Sequence, residues 1–383
     1  MPKDIVICCD GTGNEINENI SNVLKLFRCL KTDDTQRVFY DPGIGTLSRS
    51  NAWARFSLKA KGVFGLVTGS GLDENILEPY QFLIETYEDG DQIYLFGFSR
   101  GAYTVRALAG FIYLVGLLDR DQKNLSSYAL VAYKQASEKD DLSVAWRFHQ
   151  VSRARHVPIK FVGVWDTVSS MIVPRPDRFF IPSLQFLPYT RTNPGIEVFR
   201  HAMAIDERRR MFRLNAWVEP DEFKPNPFAK KGAPHDTKQV WFAGAHGDVG
   251  GGWPEKQSGL SKIALQWMID EAKSHGLLVN TAMVNHLVKG HKRKGGRHEY
   301  VSPNPMAEIN DSMTPGWRIL EWLPKHEKWK EWPKRRSWLR YYLPRSEPRF
   351  VPKDAILHPA VRERINELAD YQPMNLPNQS DTS

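Results

Sequence analysis

At 383 residues, with 41% hydrophobic and 25% charged side chains, the chain has ordinary globular usage. That excludes wholesale disorder and allows one large α/β domain or two average ones. The net charge of +8 sits almost entirely in residues 286–349, which hold 15 Lys/Arg against 7 Asp/Glu, so the remainder is neutral. Three cysteines (Cys8, Cys9, Cys29) form neither a disulfide framework nor a CxxC metal pair. The longest strongly apolar run, 107–118, would reach roughly 18 Å as a helix, short of a ~30 Å hydrocarbon core, so a buried helix is expected there.

In chain order, DIVICCD at 4–10 enters a strand at once, with no signal-peptide pattern, so a cytoplasmic protein, or one exported without a cleaved signal, is expected. A helical pattern over 21–31 follows, then RVFYD at 37–41. Residues 46–72 form a Gly-rich, basic insert that reads as a flap. A helix over 73–88 leads into QIYLFGFS at 92–99, and a second over 101–118 leads out. Residues 119–157 read as a charged helical cap, followed by IKFVGVWD at 159–166. The segment 172–198, with five prolines, is expected over the sheet's edge. Then come HAMAID at 201–206, QVWFAGAH at 239–246 and a helix over 259–275. Short β-branched and aromatic runs alternating with helices predict a doubly wound, mostly parallel α/β sheet with cap and lid insertions. The catalytic domain is expected over 1–285 plus 351–376, interrupted by a basic, Trp-rich insertion at 286–350 and followed by a flexible tail at 377–383.

Each run ends in a chemically capable residue, where sheets of this class gather their sites. The sharpest pattern is Gly97-Phe98-Ser99-Arg100-Gly101, a G-x-S-x-G sequence between an apolar strand and a small-residue helix. A nucleophile elbow needs that context: the turn exposes the serine hydroxyl, and elbow glycines Gly97 and Gly101 remove Cβ atoms where strand and helix pass. The order Ser, acid, His then selects Asp166 and His246, each ending an apolar run. His358 is the rival base; His201 ranks lower because it precedes its strand; Asp206 and Asp248 are rival acids. The N–H of Arg100, with Gly11 or Thr12 in the DGTG loop after the first strand, would hold an oxyanion. DGT also occurs in aspartyl phosphotransferases, but the second Asp they need is replaced by Cys8, and no G-x-x-x-x-G-K-[ST] loop is present. A metal-dependent phosphoesterase using Asp10, Asp166, His246 and Asp248 is one alternative. Another is a non-catalytic protein that binds membrane or nucleic acid through 286–349.

DGTGNE at 10–15, GFSRGAYTVRALAG at 97–110, GVWDTV at 163–168, FRHAMAIDERR at 199–209 and VWFAGAHGDVGGGW at 240–253 stand in one order. Together they resemble the catalytic domain of type VI secretion phospholipase effectors over roughly 4–275, with a looser echo at 358–364 and 371–376. The resemblance implies an α/β-hydrolase that cleaves glycerophospholipid esters with Ser99 as nucleophile and Asp166 and His246 as its partners, without cofactor or metal. It implies a phospholipid or other lipid-ester substrate and fits type VI export, while the apolar inserts at 46–72 and 172–198 and the basic, Trp-rich insertion make peripheral membrane contact an expectation. A general carboxylesterase is the nearest alternative, and nucleic acid is not an expected partner.

Overall fold

The computed structural model describes residues 2–11, 19–43, 71–138, 141–168, 172–174, 182–184, 187–227, 229–293, 295, 298–332 and 335–376. Seven strands build one sheet: β1 (Asp4–Cys9), β2 (Gln36–Asp41), β3 (Gln92–Phe98), β4 (Ile159–Trp165), β5 (Ile196–Ala204), β6 (Asp236–Phe242) and β7 (Ile356–Leu357). Their order is β7-β6-β5-β4-β3-β1-β2, and every pairing is parallel. The apolar runs explain why. In β1, Ile5, Ile7 and Cys9 enter one core while Val6 and Cys8 enter another, so both faces are covered.

On the first face lie α2 (Leu72–Thr86), α3 (Arg100–Val115) and α4 (Ser126–Glu138), with α5 (Ser143–Ser152) packed beside them. The opposite face carries α1 (Asn22–Cys29) and α7 (Gly259–Ser274). Ser21 caps α1, its hydroxyl accepting from Leu24 N at 3.1 Å. The short α6 (His246–Gly250) follows β6, and α8 (Pro359–Glu367) follows β7. The 107–118 run is buried within and just beyond α3, and no helix among the described residues is long and apolar enough to cross a membrane.

Two expectations need correction. β5 begins at Ile196, so His201 lies inside its strand and the Pro-rich insert ends before 198. The early part of β5 escaped the apolar reading because Glu197 and Arg200 interrupt it. Both charges are paired: Glu197 with Lys160 at 2.6 Å, and Arg200 with Asp236 at 2.8 Å and Glu271 at 2.6 Å. Within the insert, Ile172–Pro174 pairs antiparallel with Pro182–Leu184, apart from the main sheet. The flap expected over 46–72 lies outside the described residues up to 70, and the tail at 377–383 lies wholly outside them.

Candidate active site

A sharp strand-to-helix turn carries Ser99. Ser99 stands between β3 and α3 with φ 58° and ψ −117°, a conformation an L-residue holds only when its surroundings enforce it. A Cβ on Gly97 would lie 2.5 Å from Gly101 O, and one on Gly101 would lie 2.1 Å from Cys9 O. Any side chain at either position would push strand and helix apart. Ser99 N donates to Trp165 O at 3.1 Å, and Asp166 N donates to Ala202 O at 2.8 Å, so the ends of β3, β4 and β5 stand level. Arg100 opens α3, where first-turn amides face outward along the helix axis. Gly11 N donates to Asp10 Oδ1 at 2.7 Å, so that amide would have to exchange partners to serve an oxyanion. Thr12 lies outside the described residues.

His246 begins α6 directly after β6 and is buried. Its Nδ1 lies 2.5 Å from Asp166 Oδ2. With a carboxylate there, Nδ1 carries the proton and Nε2 keeps its lone pair. The ring packs on Phe98, the residue before Ser99, at 4.6 Å between centroids, and meets the edge of Phe212 at 4.9 Å. Burial pushes the imidazole pKa below its ordinary value, and Asp166 opposes that shift.

Asp166 is fully buried, with φ 40°. Burial alone would raise its pKa. Arg349 and His246 together outweigh that, and the carboxyl is held well below the usual carboxylate range. The Arg349 guanidinium is bidentate, with Nη1 2.5 Å from Oδ1 and Nη2 2.9 Å from Oδ2, and Ala204 N adds a bond at 2.9 Å. Every lone-pair direction of a buried anion is thus answered.

A family model described as the type VI secretion system phospholipase effector Tle1-like catalytic domain matches residues 3–271. The chain belongs to that family. An uncharacterized protein of Saccharomyces cerevisiae is 32% identical over 252 residues, covering 62% of this chain and 36% of the relative. The chain therefore spans about a third of that relative's length. Two solved structures are similar. One, an uncharacterized protein from Pseudomonas aeruginosa, has 20% identity and a TM-score of 0.40, with 73% of this chain and 46% of that one covered. The other, the Tle1 effector bound to the VgrG spike of the type 6 secretion system, has 19% identity and a TM-score of 0.32, with 68% and 52% covered.

In this member of the phospholipase-effector family, the rival residues have partners of their own. His358 caps α8, its Nδ1 accepting from Ala360 N at 3.2 Å, and its ring stacks on Phe242 at 4.7 Å. His201 Nε2 accepts from Thr167 N at 3.2 Å, and burial lowers its pKa to about 3. Asp206 accepts from Gly244 N at 2.7 Å and from the Tyr371 hydroxyl at 2.9 Å. Asp248 accepts from Ala245 N at 3.0 Å and from Asn310 Nδ2 at 2.6 Å; burial raises its pKa to about 6. Asp10 accepts from the Ser21 and Tyr40 hydroxyls. Asp10 and Asp248 thus sit in hydrogen-bond clusters apart from the Asp166–His246 pair, and among the described residues no three His, Cys, Asp or Glu side chains gather as a metal site.

Arg349 and Glu207 were missed by sequence reasoning. Glu207 Oε2 accepts from His246 N at 3.2 Å while its carboxylate also grips Arg209 at 2.8 Å. Arg209 in turn lies 3.6 Å over the Phe212 ring that edges His246. Arg349 lies 183 residues from Asp166 and outside the family-matched stretch, so no local spacing could have signalled it.

Proposed function

We propose that the chain is a serine hydrolase that cleaves the carboxylic ester bonds of phospholipid through an acyl-enzyme. Ser99 Oγ attacks the ester carbonyl as His246 Nε2 takes its proton. The N–H of Arg100, joined by that of Gly11 or Thr12, stabilises the oxyanion. Collapse expels the lipid alcohol, which receives the proton from His246. Water activated by the same imidazole then releases the fatty acid and frees Ser99. Asp166 stays ionised throughout, fixing the imidazole tautomer and stabilising the imidazolium, while Arg349 keeps the carboxylate oriented.

The observation that carries this reading is the buried 2.5 Å contact of His246 with Asp166, set against the residue that precedes a strained Ser99. Membership of a phospholipase-effector family supports the choice of lipid ester over other esters. Release of fatty acid and lysolipid from phosphatidylglycerol vesicles tests it. Wild-type protein should release both, and Ser99→Ala should be slower by about 10⁴-fold or more. Turnover of short soluble esters with intact vesicle lipid would reduce the reading to a general carboxylesterase; full activity of Ser99→Ala would end it.

A further inference from the structure

Within the basic insertion, the strands Lys325–His326 and Tyr341–Tyr342 pair antiparallel. A tight turn precedes the second strand, in which Trp338 and Tyr341 exchange backbone hydrogen bonds at 2.8 and 2.9 Å. The two residues between them, Leu339 and Arg340, both have positive φ, 48° and 67°. Two-residue turns with both central φ positive favour Asn-Gly, because branched or long side chains resist that backbone region. Here the turn instead displays Trp338, Leu339 and Tyr341 at 80%, 72% and 50% exposure. The sequence therefore accepts both backbone strain and apolar exposure at one tip, a combination that folding alone disfavours.

The stem below the tip is firmly held. Glu327 N donates to Arg340 O at 2.8 Å, Tyr342 is buried, and its hydroxyl donates to Glu347 at 3.1 Å. Two residues further on stands Arg349, bonded to Asp166. A second exposed apolar group, Ile319, Trp322 and Leu323, adjoins this chain segment where Arg345 N donates to Glu321 O and its guanidinium lies 5.2 Å over Trp322. The whole element is the basic part of the molecule.

We propose that the tip 338–341 seats the protein on an anionic phospholipid surface, with Trp338 and Leu339 entering the headgroup boundary and the surrounding arginines and lysines meeting the headgroups. The proposal deepens the lipid-hydrolase reading and rests on it for the location of the substrate. Nucleic acid fits less well, because single strands take stacking aromatics and cations, whereas Leu339, Ile319 and Leu323 offer neither.

The test is flotation of full-length Ser99→Ala protein, which leaves the lipid intact, with phosphatidylcholine vesicles made with and without phosphatidylserine. Two tip variants are compared: Trp338→Ser with Leu339→Ser, and Leu339→Asn with Arg340→Gly. The second pair suits the turn, so its thermal midpoint should hold or rise while binding falls. Binding should depend on phosphatidylserine, weaken with salt, and drop about tenfold in both variants. With Ser99 intact, the same variants should keep their hydrolysis of a soluble short-chain ester. Flotation unchanged by the tip variants overturns the proposal. So does tip-dependent binding of an oligonucleotide, or a dimer lost in the variants, with vesicle binding intact. Tip-dependent vesicle binding without any ester turnover would uphold the docking surface and overturn the hydrolase reading instead.

Discussion

The central sheet and the 286–350 insertion hold their residues in different ways. Along β3, β4 and β5, backbone register brings Ser99, Asp166 and Ala204 together, and the side chains around them are buried on both faces. Among its described residues the insertion has little regular structure, and charged groups are among the anchors that tie it to the rest of the chain. Glu321 accepts from Arg210 N at 2.6 Å, Glu347 lies 3.5 Å from Arg213, and Arg349 reaches Asp166. Regular structure sets where the candidate nucleophile and acid stand, while irregular chain supplies the counter-charge that lets the acid stay ionised. A basic, Trp-rich insertion thus contributes one of the most deeply buried ions in the molecule.

Substitutions can sharpen that contrast. The largest effect is expected at the sheet: Asp166→Asn should reduce kcat by about 10³–10⁴-fold, through the wrong imidazole tautomer. It also removes the interaction that opposes burial in setting the His246 pKa. A neutral imidazole is needed to accept the serine proton, and burial already places its pKa below the ordinary value of about 6.5. The acid limb of the wild-type rate profile should therefore lie below that value, and in Asp166→Asn lie lower still.

Arg349→Met comes next. It leaves a buried carboxylate without its main counter-charge and should destabilise the fold by about 3 kcal/mol. Asp166 has its pKa depressed when folded, so the stability tied to this pair is present above about pH 4 and is lost as pH falls below it. The uncompensated carboxylate then acts on the imidazole alone, so the acid limb of the surviving activity should move to higher pH, opposite to Asp166→Asn. Arg349→Lys should restore part of both effects. A purely structural arginine would change stability and leave the pH profile in place.

Gly101→Ala should lower stability by about 1–3 kcal/mol, because the new methyl would meet the Cys9 carbonyl rather than a movable side chain. At the small end, Lys292→Ala in the insertion breaks only an exposed pair with Glu299 and should leave the thermal midpoint where it is.

The sheet was legible because strands buried on both faces read as continuous apolar runs, and the elbow because its glycines answer a steric demand that few sequences meet. The start of β5 was not legible, since Arg200 looks like a surface residue until Asp236 and Glu271 are folded against it. Neither was β7, whose two residues are too few to show any period. Of the candidate site, the Ser, Asp and His positions could be read from strand ends. The partners of Asp166 and His246 could not: Arg349 comes from a distant, irregular segment, and Glu207 acts through the His246 backbone amide.

If His246 and Asp166 make Ser99 nucleophilic, as proposed, Ser99 should react with an electrophile that mimics the ester. Intact-protein mass after exposure to a fluorophosphonate measures this most directly. The wild-type chain should gain one phosphonyl adduct, located on Ser99 by peptide mapping. Ser99→Ala should gain none, and His246→Ala should react slower by orders of magnitude. Equal labelling of all three proteins, or an adduct on another residue, would mean that Ser99 is not the activated nucleophile.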